Sequence, residues 1–527
     1  MEHMTQVLIV GAGPTGLTLA NLLAKLKVDF MIIDKKSSPT KESKAFGIHA
    51  RSLEIFQRMG IAEEALAAGN TDITVHVFRK NKAVAKFSLQ NILNDETPFP
   101  HLLILPQSMT EQLLAEALED QNQNILWEHE LLFFTREETG YTTQFKTASG
   151  NVTTLHTTFI VGCDGADSMV RKKGNFDFIG KSFKPYFSLA DATIKTPLNH
   201  GNVYLLLSPM HLSLLFSYKK MDSFRLFNFV NSTFVPNQKE GLYKEDVQSI
   251  LNSNPYIKAA LQQLGWSSKF KIHSRLADKF QKDNIFLAGD AAHVHSPVGA
   301  QGMNTGIQDA YNLAWKLSLV LSQKAKKELL NTYHEERYPI ARRLYYSTDI
   351  FFQWLTKKNK MMDFFRMNIF PYVFRILSIR LIRKKVFRMA SQISVNYRGS
   401  SLSMATFHPF FLLKAGDRAR WAHIYYRGKT IGIFELFDER YFTLIITSPD
   451  DKLLQVKLLL HNLQKLPTLP VKVHYLQAKP NRELYKKYGI INSAMILVRP
   501  DGHISFSHHA LDIKKLEAYL MGMLLIH

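Results

Sequence analysis

Apolar residues run almost unbroken through Thr5–Val10 and through Phe30–Asp34, the pattern of strands covered on both faces. Between them, Pro14–Lys27 carries its apolar residues at helical spacing. A strand, a helix and a second strand in this order predict a parallel sheet. Arg51–Met59 and Thr110–Asp120 read as helices, and alternating segments such as Thr142–Lys146 and Val152–Ile160 read as strands. Tyr186–Val230 is strand-rich and predicts an antiparallel sheet inserted into the chain. Ile285–Ala288 is again a short buried strand, followed after a loop by a helix over Gly302–Leu321. Residues 330–395 read as helical. The pattern changes near Tyr397–Phe411. Short strands then follow at Tyr441–Thr447, Val471–Tyr475, Ala494–Val498 and His503–Phe506, with helices between. The fold class is α/β, with a small α/β unit in the last part of the chain.

Three turns in this frame carry chemistry. Gly11-Ala12-Gly13-Pro14-Thr15-Gly16 is G-x-G-x-x-G, placed after a strand and opening a helix. The first glycine permits the tight turn, the second lets backbone approach a pyrophosphate, and the third allows close helix–strand packing. The helix start offers free N–H groups and partial positive charge to the anion. Asp34, followed by Lys35, ends the next strand 18 residues beyond Gly16. That is where a carboxylate accepts hydrogen bonds from a ribose. The plain alternative is an ordinary strand–turn–helix, and the motif alone does not choose between FAD and NAD(P). The second turn runs from Cys163 through Asp164-Gly165 to Ser168 and Arg171, after the strand FIVG. The third starts at Gly289-Asp290, after IFLA, and continues through Gly299-Ala300-Gln301-Gly302-Met303-Asn304 into a helix. Asp290 stands at a strand's carboxyl end, where α/β sheets bind ligands.

Composition narrows the partners. The chain is 46% hydrophobic and 21% charged, as in a soluble globular protein. Its one cysteine, Cys163, excludes an internal disulfide and a cysteine metal cluster. Met1–Val10 has no signal-peptide layout, and no apolar run reaches the roughly 18 residues of a membrane span. A cytoplasmic protein is expected. The net charge is +21, and ten Lys or Arg against one acid lie in residues 357–388, interleaved with Phe, Ile and Leu. Two readings stay open there: a basic amphipathic face in peripheral contact with a membrane, or a helical connector packed on the body. No nucleic-acid motif accompanies the charge, so no nucleic-acid partner is expected. No metal site is expected either. His293 and His295 read as loop structure rather than ligands.

The three turns in this order resemble the class A flavoprotein monooxygenases, the para-hydroxybenzoate hydroxylase and phenol hydroxylase family. The resemblance spans about residues 5–400. Residues 405–527, through Leu484–Ile490 and Met495–Gly502, resemble that family's thioredoxin-like C-terminal domain, here without C-x-x-C. The resemblance implies a Rossmann-like FAD-binding domain over 1–180 and 270–350 and an antiparallel-sheet substrate domain over 181–269. It further implies a helical connector over 351–404 and the tail over 405–527. Gly11, Gly13, Pro14, Thr15 and Gly16 would hold the FAD pyrophosphate, and Asp34 with Lys35 the adenosine end. Asp164 and Gly165 would serve FAD and a passing NADPH or NADH. Asp290 would meet the ribityl chain, and Gly299, Gln301, Gly302, Met303 and Asn304 would border the isoalloxazine. Gln107 and Arg51 would lie near the flavin. Lys44 stands where the family often has Arg, losing the bidentate fork. The implied reaction reduces FAD with NAD(P)H, adds O2 to give a C4a-hydroperoxyflavin, and hydroxylates a small phenolic or polycyclic aromatic. Candidate pocket residues are Pro297, Tyr204, His211, Leu215 and Phe227. No substrate-activating residue is named. The tail is expected to be peripheral, structural or a homodimer contact, so that its removal spares FAD binding. A flavin-dependent reductase, oxidase or halogenase is the enzymatic alternative, although the W-x-W-x-I pattern of halogenases is absent. A non-redox binding protein like the Rab GDP-dissociation inhibitors is the other.

Overall fold

The computed structural model describes residues 3–41, 45–79, 82–207, 211–217, 224–230, 242–253, 257–296, 299–356, 360–377, 379–405, 412–449, 456–457 and 470–524. Lys44 and Pro297 lie outside the described residues, as does the side chain of His211.

The first sheet grows around His3–Val10, which pairs in parallel with Phe30–Asp34 on one side and Val152–Gly162 on the other. Ile285–Leu287 extends it in parallel beyond Val152–Gly162, and Ile125–Trp127 beyond Phe30–Asp34. Val7, Leu8 and Ile9 have no exposure, because helices cover both faces. Pro14–Lys25 and Gly302–Leu321 pack against each other at this sheet, with Leu17, Leu313 and Leu317 in one core. The carboxyl ends of His3–Val10, Val152–Gly162 and Ile285–Leu287 thereby bring the three turns together.

The second sheet has eight strands. Its longest strands are the antiparallel pair Ala260–Ala277 and Phe178–Lys195, and Phe178–Lys195 is followed across the sheet by Phe224–Val230, His211–Ser217 and Val203–Leu207. It also takes in the hairpin Thr74–Arg79/Lys82–Ser88 and the short strand His293–Val294, segments that fall outside 181–269. The helix Lys244–Asn252 covers one face, burying Val247, Ile250 and Leu251 against Tyr204, Leu206, Leu215 and Leu226. The other face looks toward the first sheet.

The helices Thr332–Thr356, Lys360–Asn368, Phe370–Ile376 and Arg380–Ala390 follow. The tail builds a third sheet of five strands, in the order Met404–Ala405, Ile504–His508, Ala494–Val498, Phe442–Ser448 and Val471–Gln477.

The tail is not peripheral. Its turn Pro500-Asp501-Gly502 lies against the Gly302–Leu321 helix: Tyr311 Oη donates to Pro500 O at 3.0 Å and Trp315 Nε1 to Asp501 Oδ2 at 3.3 Å. Arg499 donates two bonds to Glu336, at 2.5 and 2.9 Å, and Lys316 donates a third at 2.8 Å. All three side chains are at most 1% exposed. Burial pushes the Glu336 carboxyl up, but the charges of Arg499 and then Lys316 outweigh it and hold its pKa down to about 2. Burial pulls the Lys316 ammonium down to about 8 despite Glu336. This shared network of buried charge ties the tail to the body.

Candidate active site

A single cavity of about 810 Å3 opens where the two large sheets face each other. Its lining includes Gly11, Gly13, Pro14, Thr15, Asp34 and Lys35 of the first turn and next strand, Asp164 and Gly165 of the second turn, and Asp290, Gly299, Gln301, Gly302 and Met303 of the third. Most of the residues singled out in the sequence therefore line one cavity.

The glycine turn is built by contact. Gly11 has φ +105°, and a Cβ there would stand 2.4 Å from Cys163 O. A Cβ on Gly16 would stand 1.9 Å from Gly11 O. Gly13 differs: a Cβ there would meet nothing within 4 Å. Gly13 caps the Pro14–Lys25 helix without any side-chain capping bond. Asp34 stitches the turn from the next strand, accepting from Ala12 N at 2.7 Å and Lys36 N at 2.8 Å. Each of its oxygens keeps a second lone-pair direction for a ligand hydroxyl.

The second and third turns are tied to the first. Asp164 Oδ2 accepts from the backbone N–H of Met169 and Val170, while its Oδ1 is buried with no partner among the described residues. Burial raises its pKa against those hydrogen bonds. Arg171 spans the gap, donating to Ala166 O at 2.7 Å and Ala291 O at 2.8 Å. Arg171, at the end of the second turn, thus acts as a strut. Asp309 holds the third turn: it accepts from Gly289 N, faces His293 Nε2 at 2.7 Å, and is paired with Arg337 at 2.6 Å.

These residues fit a dinucleotide. The uncapped helix start and the open space at Gly13 lie at one cavity, whose lining also includes Asp164, and they suit a phosphate-bearing, hydroxyl-rich ligand.

Other expected site residues are placed elsewhere. Arg51 is not in the cavity lining. Its guanidinium is buried between Glu54 at 2.8 Å and Asp501 O at 2.5 Å, joining the body to the tail. Asn304 is buried as a bracket, donating to Gly47 O and Ala300 O and accepting from His49 N. Gly16 packs behind the turn. Tyr204 and Leu215 lie on the sheet face covered by Lys244–Asn252, and Tyr204 Oη donates to Asn199 O at 2.9 Å. His211 pairs through its backbone with Val230. Phe227 does line the cavity, together with Val75, Phe87, Val203, Leu205 and Leu214. Gln107 lines it too, donating to Glu111 at 2.9 Å.

Sequence reading missed two histidine functions and one wall. His49 Nε2 lies 2.9 Å from Gly299 O, and His295 Nδ1 lies 2.9 Å from Ser296 O. A carbonyl oxygen can only accept, so these nitrogens carry the protons. His49 Nδ1 and His295 Nε2 are left as acceptors, buried without a partner among the described residues, and both histidines line the cavity. Burial, with His293 nearby, pulls His295 down to about 4, so the ring is neutral. His49 lies in no motif, and its signal was absent from the sequence. The missed wall is formed by Phe374, Leu377, Arg383, Val386 and Phe387, where the connector's amphipathic pattern was the available signal.

Comparison with known proteins agrees with this geometry. The family described as "FAD binding domain" matches residues 4–348, and "Phenol hydroxylase, C-terminal dimerisation domain" matches residues 459–526. The uncharacterized aromatic compound monooxygenase YhjG of Bacillus subtilis (strain 168) is 28% identical, over 95% of this chain and 94% of its own. Pentachlorophenol 4-monooxygenase of Sphingobium chlorophenolicum is 33% identical, over 64% of this chain and 62% of its own. Among solved structures, the flavin-dependent monooxygenase PieE in complex with FAD and substrate shares the fold. Its TM-score is 0.81 at 19% identity, over 98% of each chain. The chain belongs to the FAD-binding-domain family of flavoproteins. Within it, the chain is an FAD-dependent monooxygenase of the aromatic hydroxylase type.

Asp290 offers a direct check of the cofactor end. It is exposed at the cavity lip, on a turn whose position is set by Asp309. Asp290→Ala should fold normally and lose at least about tenfold in flavin affinity, the worth of a charge-assisted hydrogen bond. Far-ultraviolet circular dichroism and flavin absorbance after desalting read the two parts. Full flavin occupancy would remove Asp290 from the site.

Proposed function

We propose that this chain takes electrons from NADPH or NADH and oxygen from O2, and hydroxylates a phenolic or polycyclic aromatic compound. It works as a cytoplasmic homodimer in peripheral contact with a membrane. Gly11, Gly13 and the Pro14–Lys25 helix start would hold the FAD pyrophosphate, Asp34 a ribose, and Asp164, Asp290, Gln107 and the Gly299–Met303 loop the rest of the molecule. When bound, FAD supplies the electron transfer and the oxygen activation. The chain's own residues bind, orient and exclude water.

The observation that carries this reading is the continuity of one cavity, from the dinucleotide end to an apolar wall of Val75, Phe87, Leu214 and Phe227. An aromatic ring buried against that wall reaches the cofactor without crossing solvent. The bare nitrogens of His49 and His295 suit a hydroxyl donor, which a phenol provides.

Oxidation of NADPH and NADH by the flavin-loaded protein, measured across a panel of phenols and polycyclic aromatics, tests the reading. The expected result is a substrate-stimulated rate and a product heavier by one oxygen atom. Electron-donor oxidation with no oxygenated product from any compound would shift the assignment to a reductase or oxidase. His295→Leu should retain flavin and raise KM for the best phenol about tenfold, the loss of one buried hydrogen bond. Loss of flavin with unchanged KM would assign His295 to the cofactor instead.

A further inference from the structure

The helices Lys360–Asn368, Phe370–Ile376 and Arg380–Ala390 have two working faces. Inward, Phe374, Leu377 and Phe387 close the apolar end of the cavity and pack on Val77 and Phe87 of the second sheet or on the main core. Outward, they expose large apolar side chains: Phe364 is 62% exposed, Ile379 52%, Leu381 80% and Met389 67%. Single exposed hydrophobics are ordinary, but a run of them along consecutive helices marks an interaction surface. On Arg380–Ala390, Leu381, Lys385 and Met389 recur every four residues, so they share one side, with Ile382 and Val386 beside them.

Among the described side chains, the exposed charged residues on this surface are basic. Arg375, Arg380 and Lys385 are exposed. Lys384 and Arg388 are engaged by Asp95 and Glu96 and count less. Exposed aliphatic side chains ringed by Arg and Lys match the interface of a bilayer with anionic headgroups. The apolar tips enter the acyl boundary, and the long cationic chains reach the phosphates. No helix among the described residues is long and apolar enough to cross a membrane, so this would be contact from one side.

Resting on the hydroxylase reading of the cavity, we infer that the surface formed by the helices Lys360–Asn368, Phe370–Ile376 and Arg380–Ala390 docks on an anionic bilayer. There it admits a lipophilic phenol from the lipid directly into the cavity, past Phe374, Leu377 and Val386. The same three helices are both the wall of the cavity and the docking face, so a phenol with an alkyl or prenyl chain need not pass through water.

The test uses the full-length, flavin-loaded protein and the double variant Leu381→Glu/Met389→Glu, neither residue lining the cavity. The native protein should co-sediment with phosphatidylglycerol–phosphatidylcholine vesicles at low salt. It should bind pure phosphatidylcholine at least tenfold less, and should be released as salt rises. The double variant should lose vesicle binding and turn over a long-chain phenol dissolved in vesicles about tenfold more slowly. Its turnover of a short, water-soluble phenol should be unchanged. No binding of the native protein to either vesicle would overturn the inference, as would a variant that binds as well as the native protein. A surface used instead to pair two copies would appear as a halved mass by light scattering in the variant, with no vesicle binding by the native protein. That result also overturns it. Turnover of soluble phenols reports the hydroxylase reading separately, and failure there leaves the sedimentation result standing.

Discussion

Gly13→Val is expected to give a folded, colourless protein. Gly13 has φ −80° and ψ −176°, an extended conformation open to any residue and favoured before proline. A Cβ there meets nothing within 4 Å, so the empty fold tolerates valine with little loss, about 0.5 kcal/mol or less. The same open space is where a pyrophosphate must approach the helix start. Two methyl groups in that space should weaken flavin binding by about a hundredfold, roughly 2.7 kcal/mol. Thermal melting of the apoprotein and flavin titration read the two halves separately. A variant that binds flavin as the native protein does would place the pyrophosphate elsewhere. Gly16→Val is the matched contrast. Its Cβ would collide with Gly11 O at 1.9 Å, so that variant should fail to fold rather than merely fail to bind.

Arg499→Met should be the most destabilising single change in the tail. It removes both bonds to Glu336 and the pairing with Asp501, leaving two carboxylates in a buried site with Lys316 as the nearby cation. Breaking a buried ion pair by deleting one partner costs about 3–5 kcal/mol. The midpoint of the first denaturant transition measures it. The pH dependence has a definite sign. Glu336 has its folded pKa lowered from the usual 4.5 to about 2, so it contributes stability that is complete above about 4.5 and is lost as pH falls toward 2. Without Arg499 that loss should begin at higher pH. An unchanged acid-unfolding profile would show that Lys316 alone suffices. For the same reason, removal of residues 405–527 should yield insoluble or flavin-free protein. It strips Arg499 from Glu336 and Arg418 from Glu54.

Much of the frame was legible because backbone geometry constrains sequence strongly there. The glycine turn needs Gly11 and Gly16 by contact, and the carboxyl halves of the central strands, Val7–Val10 and Phe159–Val161, are buried and apolar. The second sheet was legible as strands but not as faces. Tyr204 and Leu206 look toward the Lys244–Asn252 helix, while Val203 and Leu205 look into the cavity. Both faces are apolar, so alternation carries no parity, and Tyr204 and Leu215 were assigned to the wrong side. Arg51 reads as a residue near the flavin because a guanidinium aimed at a carbonyl or a buried carboxylate has the same sequence as one aimed at a ligand. His49 was invisible because its role depends on Gly299, far away in the chain.

The three turns interlock through Thr15, which would touch a Cβ on either Gly289 or Gly306, and through the Arg171 strut. During synthesis the ribosome therefore releases the glycine turn long before its partners exist. At about 5–20 residues per second, roughly 25–100 s separate the emergence of Gly13 from that of Arg499. Until Ile285–Leu287 emerges to pair with Val152–Gly162, the nascent chain carries an open edge of its central sheet. Yield in a heterologous host should therefore depend on chaperone capacity and translation speed, and flavin should be acquired only after termination.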